Sequence, residues 1–177
     1  MPTKPSGAKK ARPTAPTSIP TGFSTVTPYL SVDGAAAALE FYKKAFGARE
    51  INRQPGPGGT LLNAQIQIGE SIVMLSDVFP GSDTQSPAVL QSTTVTLHIY
   101  SENVDKLWKT AVEAGAEVAM PLEDQFWGER YGRLRDPFGH LWSVSMVIPM
   151  STGEMAKKRR EAMKAFSEGS TPPPSGM

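Results

Sequence analysis

Hydrophobic and polar residues alternate along this chain in a pattern that repeats once. Ser24 to Val32 is rich in Val, Thr and Tyr and reads as a strand. Ala35 to Phe46 follows with Ala38, Leu39, Tyr42 and Phe46 at helical spacing, and it stops at Gly47, a C-cap position. A strand from Arg49 to Arg53 leads into the Pro/Gly turn Pro55–Gly59. Leu61 to Ile68 and Ser71 to Ser76 are two further strands joined by Gly69 and Glu70. The same order then returns. Thr93 to Tyr100 is β-branched and strand-like, and Val104 to Ala114 is a helix ending at Gly115. Glu117 to Met120 is a strand broken by Pro121. Phe126 to Arg135 is irregular and then strand-like, Asp136 to Gly139 is a turn, and Leu141 to Val147 is the last strand.

Each half is therefore β-α-β-β-β, and a unit of that size has too little core to stand alone. The pattern predicts an α+β protein with two βαβββ modules paired into a concave mixed sheet, whose free face could hold a ligand. Module one covers 23–76, a linker 77–92, and module two 93–150, together one domain.

Residues 1–22 break the pattern with Pro2, Pro5, Pro13, Pro16 and Pro20, four bases and no acid. Such a stretch buries nothing in return for being ordered, so it reads as a disordered basic tail. Residues 151–177 open with a helix, Glu154 to Phe166, carrying Met155, Ala162, Met163 and Phe166 on one face. Its apolar stripe is expected to dock on the body or on a partner subunit. Pro172, Pro173 and Pro174 then predict a loose end.

Composition narrows the classes. The 177 residues contain no cysteine, which excludes a disulfide scaffold, a thiolate metal site and a cysteine nucleophile. The net charge is +1, but the ends are basic and the body, 23–150, carries a net −5. Four tail charges without aromatics are a weak nucleic-acid signal, so nucleic acid is not expected as a partner. No apolar run approaches ~18 residues, so no membrane span is expected, and without a secretory leader the default compartment is the cytoplasm. Walker, GxGxxG and GxSxG motifs are missing, and Gly56-Pro57-Gly58-Gly59 reads as a hairpin loop rather than a phosphate cradle.

Particular words carry a family likeness: Tyr29-Leu30-Ser31-Val32-Asp33, Ala38-Leu39-Glu40-Phe41-Tyr42 and Phe46-Gly47-Ala48, then Val104-Asp105 and Ala114-Gly115-Ala116. The closing stretch is the most specific, from Pro121-Leu122 through Gln125-Phe126-Trp127-Gly128 and Tyr131-Gly132 to Asp136-Pro137-Phe138-Gly139-His140 and Trp142-Ser143. Over about 23–150 the chain resembles the vicinal oxygen chelate superfamily of glyoxalases, bleomycin- and fosfomycin-resistance proteins and extradiol dioxygenases, and within it the PhnB-like branch. The resemblance implies a homodimer, with or without exchange of modules. It also implies a divalent metal held by four side chains, and here those places hold Thr27, Met74, Thr96 and Ser143. None suits a borderline divalent ion, so no cofactor is expected at that site. Glyoxalase isomerisation and dioxygenation both need such an ion.

Other residues can still make a site. His98 lies two after Thr96 and shares its face, and Tyr29 stands to Thr27 in the same way. With Asn63 and Gln65 they form a polar set in which His98 is the one candidate general base. The plainer alternative is a hydrogen-bonded strand histidine that lines a pocket. Phe126, Trp127, Tyr131 and Trp142 are aromatic candidates for a pocket wall or for ordinary core. Arg130, Arg133 and Arg135 could meet an anion or pair internally, and His140 is expected to face solvent or brace the turn before it.

Three functions follow in order. The first is a protein that binds a small organic molecule in a dimeric aromatic and polar cup without the usual metal. The second is a divergent enzyme, a glyoxalase-like lyase/isomerase or a dioxygenase, acting through His98 or through a rearranged metal site. The third is an interaction module whose tails dock a nucleic acid or protein.

Overall fold

A computed structural model describes residues 19–168. Its elements run β1 (Tyr29–Val32), α1 (Ala35–Phe46), β2 (Arg49–Pro55), a 3-10 turn (Pro57–Gly59), β3 (Leu61–Ile68) and β4 (Ser71–Asp77). After the linker helix α2 (Pro87–Leu90) come β5 (Thr96–Tyr100), α3 (Val104–Glu113), β6 (Glu117–Asp124), β7 (Glu129–Arg135), β8 (Leu141–Val147) and α4 (Thr152–Ser167). The two expected βαβββ modules are present. Each makes a mixed four-stranded sheet, in the orders β1-β4-β3-β2 and β5-β8-β7-β6. β1 runs parallel to β4 and β5 parallel to β8, and the other pairs are antiparallel. Among the described residues no ladder joins the sheets, and β1 and β5 are both edge strands.

Period-two burial gives each sheet a covered and an open face. Leu30, Val32, Ala64, Ile66, Val73 and Leu75 point to the helices in module one, as do Leu134, Trp142 and Val144 in module two. α1 enters at Gly34, in the left-handed region at φ 91°, and it carries no side-chain cap of its own. Asp77, at the end of β4, supplies the cap by accepting from Gly34 N and Ala35 N at 2.9 Å each. Its other oxygen accepts from Leu61 N at 2.7 Å, which ties the helix start to β3.

The modules are fused through the helix layer. Phe46 meets Trp142 at 4.6 Å between ring centroids, and Phe41 and Tyr42 meet Phe138. Asp136, in the turn between β7 and β8, is the buried junction. One oxygen accepts from the Tyr42 hydroxyl and from Trp142 Nε1, both at 2.8 Å; the other accepts from Phe138 N and His140 N at 3.0 and 2.9 Å. Burial and the Asp136 charge push the Tyr42 hydroxyl well above the usual tyrosine range.

Several boundaries differ from expectation. β1 starts at Tyr29 rather than Ser24, because Pro28 has no N–H to offer a ladder and the Thr27 hydroxyl turns back to Ser24 O. β5 starts at Thr96 rather than Thr93, whose hydroxyl bonds the Val95 main chain. β6 runs through Pro121 instead of stopping there. It is an edge strand with an irregular register between Met120 and Glu123, where proline is tolerated. The linker 77–92 contains α2, capped by Ser86 with Pro87 in its first turn. α4 is longer than expected at its start, where Ser151 and Glu154 cap each other reciprocally. Met155 packs at Gly128, while Met163 is left exposed. The tail expected over 1–22 and the loose end expected after the helix lie largely outside the described residues. Among those residues no helix is long and apolar enough to cross a membrane.

Candidate functional site

The open face of the first sheet gathers the first polar group. Asn63 Nδ2 donates to the Tyr29 hydroxyl at 3.1 Å, and Gln65 Nε2 reaches Asn63 Oδ1 at 3.5 Å. Register explains the meeting. Tyr29 lies opposite Met74 and Met74 opposite Gln65, so the three share one face across β1, β4 and β3. Tyr29 is 50% exposed at the sheet edge.

The second sheet carries the counterpart. His98 lies opposite Ser143 as Tyr29 lies opposite Met74, so the two modules place their edge residues equivalently. His98 Nδ1 is 2.7 Å from Ser143 Oγ and Nε2 is 3.1 Å from Ser145 Oγ. The ring stacks on Tyr131, with centroids 6.0 Å apart and planes 18° from parallel. Trp127 meets Tyr131 edge-on and Phe126 meets Trp127, which extends the aromatic wall. Burial pushes the imidazole below its usual value, opposed by the charge of Glu129. A neutral ring between two hydroxyls accepts at one nitrogen and donates at the other. Beside it lies a cleft of about 720 Å³, lined by Pro28, Ile72, Thr96, His98 and Tyr100 among others.

Sequence reasoning missed three members of this group. Ser145 holds the second ring nitrogen. Tyr100 packs on His98 at 4.4 Å and donates to Glu129 Oε1 at 3.3 Å, and Trp127 Nε1 donates to Glu129 Oε2 at 3.2 Å. Alternation along β5 and β8 contained the signal, since 98 and 100, and 143 and 145, share a face. Glu129 is thus a carboxylate near His98, linked to the ring through Tyr100 and through Trp127 and Tyr131 with no direct hydrogen bond among the described residues.

Other candidates fall elsewhere. Trp142 is 2% exposed, sits among α1 side chains and donates to Asp136, so most of its ring belongs to the core, and it also borders the cleft of about 720 Å³ together with Phe46 and Leu107. Its neighbour Ser143 is on the open face, so alternation sends Trp142 to the other. His140 is 8% exposed and does not face solvent; its main-chain N–H braces the turn by donating to Asp136, and burial lowers its ring pKa. Arg130 is held by Asp105 and Asp124, and Arg135 donates to Gly139 O. Tyr29, Asn63 and Gln65 form one set and His98, Tyr131, Trp127 and Phe126 a second; no hydrogen bond or ring contact joins them among the described residues.

The four places where a metal would be held can now be tested by their donors. Thr27 precedes β1 and its hydroxyl donates to Ser24 O. Met74 offers a thioether and Thr96 a hydroxyl, while Ser143 Oγ is already bonded to His98. Neutral hydroxyls and a thioether are poor donors for a borderline divalent ion. Among the described residues no three His, Cys, Asp or Glu side chains come together to hold one. The donor set does not fit the metal.

Comparison with known proteins gives a consistent result. The family model described as Glyoxalase/Bleomycin resistance protein/Dioxygenase superfamily matches residues 23–144. An uncharacterized protein of Mycobacterium tuberculosis is 45% identical over 126 residues, covering 70% of this chain and 74% of that protein. The crystal structure of TioX from Micromonospora sp. ML1 superposes with a TM-score of 0.56 at 26% identity, over 73% of this chain and all (100%) of that one. A gene product of Arabidopsis thaliana superposes with a TM-score of 0.57 at 27% identity, over 70% and 98% of the two chains.

Proposed function

The chain belongs to the glyoxalase/bleomycin resistance protein/dioxygenase superfamily, and from that premise we propose that it binds a small organic molecule against the open faces of its sheets, in a cup completed by a second copy and without a metal at the superfamily's four positions. The observation that carries this reading is the His98 group. Its ring is clamped by Ser143 and Ser145, stacked on Tyr131, and set beside a cleft of about 720 Å³. Mostly apolar walls with a few fixed polar groups, around a space of several hundred Å³, are the usual make-up of a small-molecule site; this cleft is walled by Phe46, Leu97, Leu107, Tyr100 and Trp142 beside His98, and Tyr131 and Trp127 adjoin it through the His98 ring. Both ring nitrogens are occupied by hydroxyls, which suits a side chain that orients a ligand better than one that takes its proton.

Exposure supports the second copy. Tyr29 at 50%, Tyr100 at 66% and Val147 at 70% are large side chains left open at the edges and free face of the sheets. A module of another chain would cover such surface.

The test begins with metal content by mass spectrometry on protein purified without an affinity tag, after Ni, Zn, Mn, Co and Fe are added back and dialysed away. Less than about a tenth of an equivalent per chain is expected, since the described residues bring no deprotonated ligand set together. A stoichiometric ion would overturn the metal-free reading. A second reading, a divergent enzyme acting through His98, is favoured by the proximity of Glu129. On that reading His98→Ala abolishes turnover while the fold persists; on ours it weakens ligand binding and there is no turnover to lose.

A further inference from the structure

The open face of the second sheet carries an ionic group beyond the His98 cluster. Arg133 lies opposite Ser143 on β8, and Ser143 lies opposite His98 on β5. Directly opposed residues point to the same face, so His98, Ser143 and Arg133 form a row across three strands. Tyr131 is two residues away on β7, one side-chain position along that face.

The two arginines nearest in sequence have acceptors. Arg130 meets Asp105 at 2.7 Å and Asp124 at 3.1 Å, and Arg135 donates to Gly139 O at 3.1 Å. Arg133 differs. It is half-buried, its Nε is sealed from solvent with no acceptor, and among the described residues it makes no ion pair and no side-chain hydrogen bond. Glu129, on the same face, is two side-chain positions away, ~13 Å along the strand. Its oxygens are taken by Tyr100 and Trp127. A guanidinium stays charged at any pH a protein survives, and sealing a charged donor without an acceptor is unfavourable. The positions facing Arg133 hold Met120 on β6 and Ser143 on β8, and Glu123, opposite Tyr131 one position along the face, makes no ion pair with the guanidinium among the described residues.

We propose that Arg133 is the anion-binding group of the cup, and that the ligand is an organic anion: a carboxylate, sulfonate or phosphate attached to a flat apolar body. The planar fork of Arg133 would take the anion through two parallel bonds. Half-buried Phe126 and Trp127 would border the apolar body. This inference rests on the open face being a binding surface.

Two probes that share a ring system separate the two claims. The full-length protein is titrated with 1-anilinonaphthalene-8-sulfonate and with its uncharged analogue N-phenyl-1-naphthylamine. The wild type is expected to prefer the sulfonate by at least about tenfold, the value of one charge-assisted contact. Arg133→Gln removes that preference and leaves the neutral probe within about threefold; Arg159→Gln, on exposed α4, changes neither. Arg133→Lys keeps the charge without the fork and retains part of the preference, which keeps the test usable if Arg133→Gln does not fold. Equal binding of both probes by the wild type overturns the anion site and leaves the cup reading standing. Binding of neither probe overturns the cup reading as well. If Arg133→Gln weakens self-association in sedimentation and leaves probe selectivity intact, Arg133 answers a carboxylate of a second copy and the proposal fails.

Discussion

Tyr42→Phe removes a single oxygen and tests what fuses the two modules. The Tyr42 hydroxyl is fully buried on α1 and donates at 2.8 Å to Asp136, 94 residues later in the other module. A hydrogen bond to a charged acceptor contributes about 1.5–3 kcal/mol net. Asp136 keeps its contacts with Trp142, Phe138 and His140, so the low end applies, about 1.5 kcal/mol. At about 2–4 °C per kcal/mol for a chain of this size, the melting temperature falls by about 3–6 °C. Asp136→Ala is far more severe. It strands the Tyr42 hydroxyl, Trp142 Nε1 and the His140 N–H in the interior, where each unmet donor costs about 1–3 kcal/mol. The total of about 3–9 kcal/mol is a large part of the ~5–15 kcal/mol that holds an ordinary domain together. Urea titrations followed by circular dichroism measure both, with the double mutant closing the cycle. The reasoning fails if Tyr42→Phe lies within about 0.3 kcal/mol of wild type, or if the double mutant shows no coupling between the two sites.

Three further outcomes follow. Asp77→Ala takes the cap from α1 and an acceptor from Leu61 N, so urea unfolding should show a loss of about 2–4 kcal/mol; a loss below 1 kcal/mol would mean that water replaces the carboxylate. Gly132→Ala places a methyl 2.6 Å from Trp108 Cζ3 and 2.9 Å from Leu122 Cα and should cost about 2 kcal/mol or more, whereas Gly153→Ala meets nothing and should stay within about 0.5 kcal/mol of wild type. Equal melting temperatures for those two variants would contradict the packing of β7 against α3. Burial lowers the pKa of both His98 and His140 below 6.5, so the unfolded chain takes up protons first and stability should decline as pH falls through about 6.5, levelling off once the folded rings titrate. Proton NMR of the two histidine rings checks this, and a midpoint at or above 6.5 for either would refute it.

Much of the scaffold was legible in residue order. α1, β3 and β8 have the expected bounds because their periodicity matches their burial, and Gly47, in the left-handed region at φ 64°, marks the end of α1 as a C-cap glycine should. The duplication, the superfamily and the poor donors at Thr27, Met74, Thr96 and Ser143 were equally visible, since each depends on residue type at a known offset. Local reading failed where a short-range competitor intervened, as when Pro28 and the Thr93 hydroxyl shortened β1 and β5.

The site needed more than local pattern. Residue order put His98 on a strand face, but only the parallel register of β5 with β8 set its two nitrogens against Ser143 and Ser145, 45 and 47 residues away. The same register put Arg133 in their row without an acceptor and left Trp142 on the other side of the sheet. Asp136 reads in sequence as an ordinary turn residue, and only the packing of α1 on module two makes it the junction. Periodicity records which way each side chain faces within its own element, since that depends on neighbours a few residues away. Which faces meet depends on pairing between distant segments, and only the tertiary structure decided that.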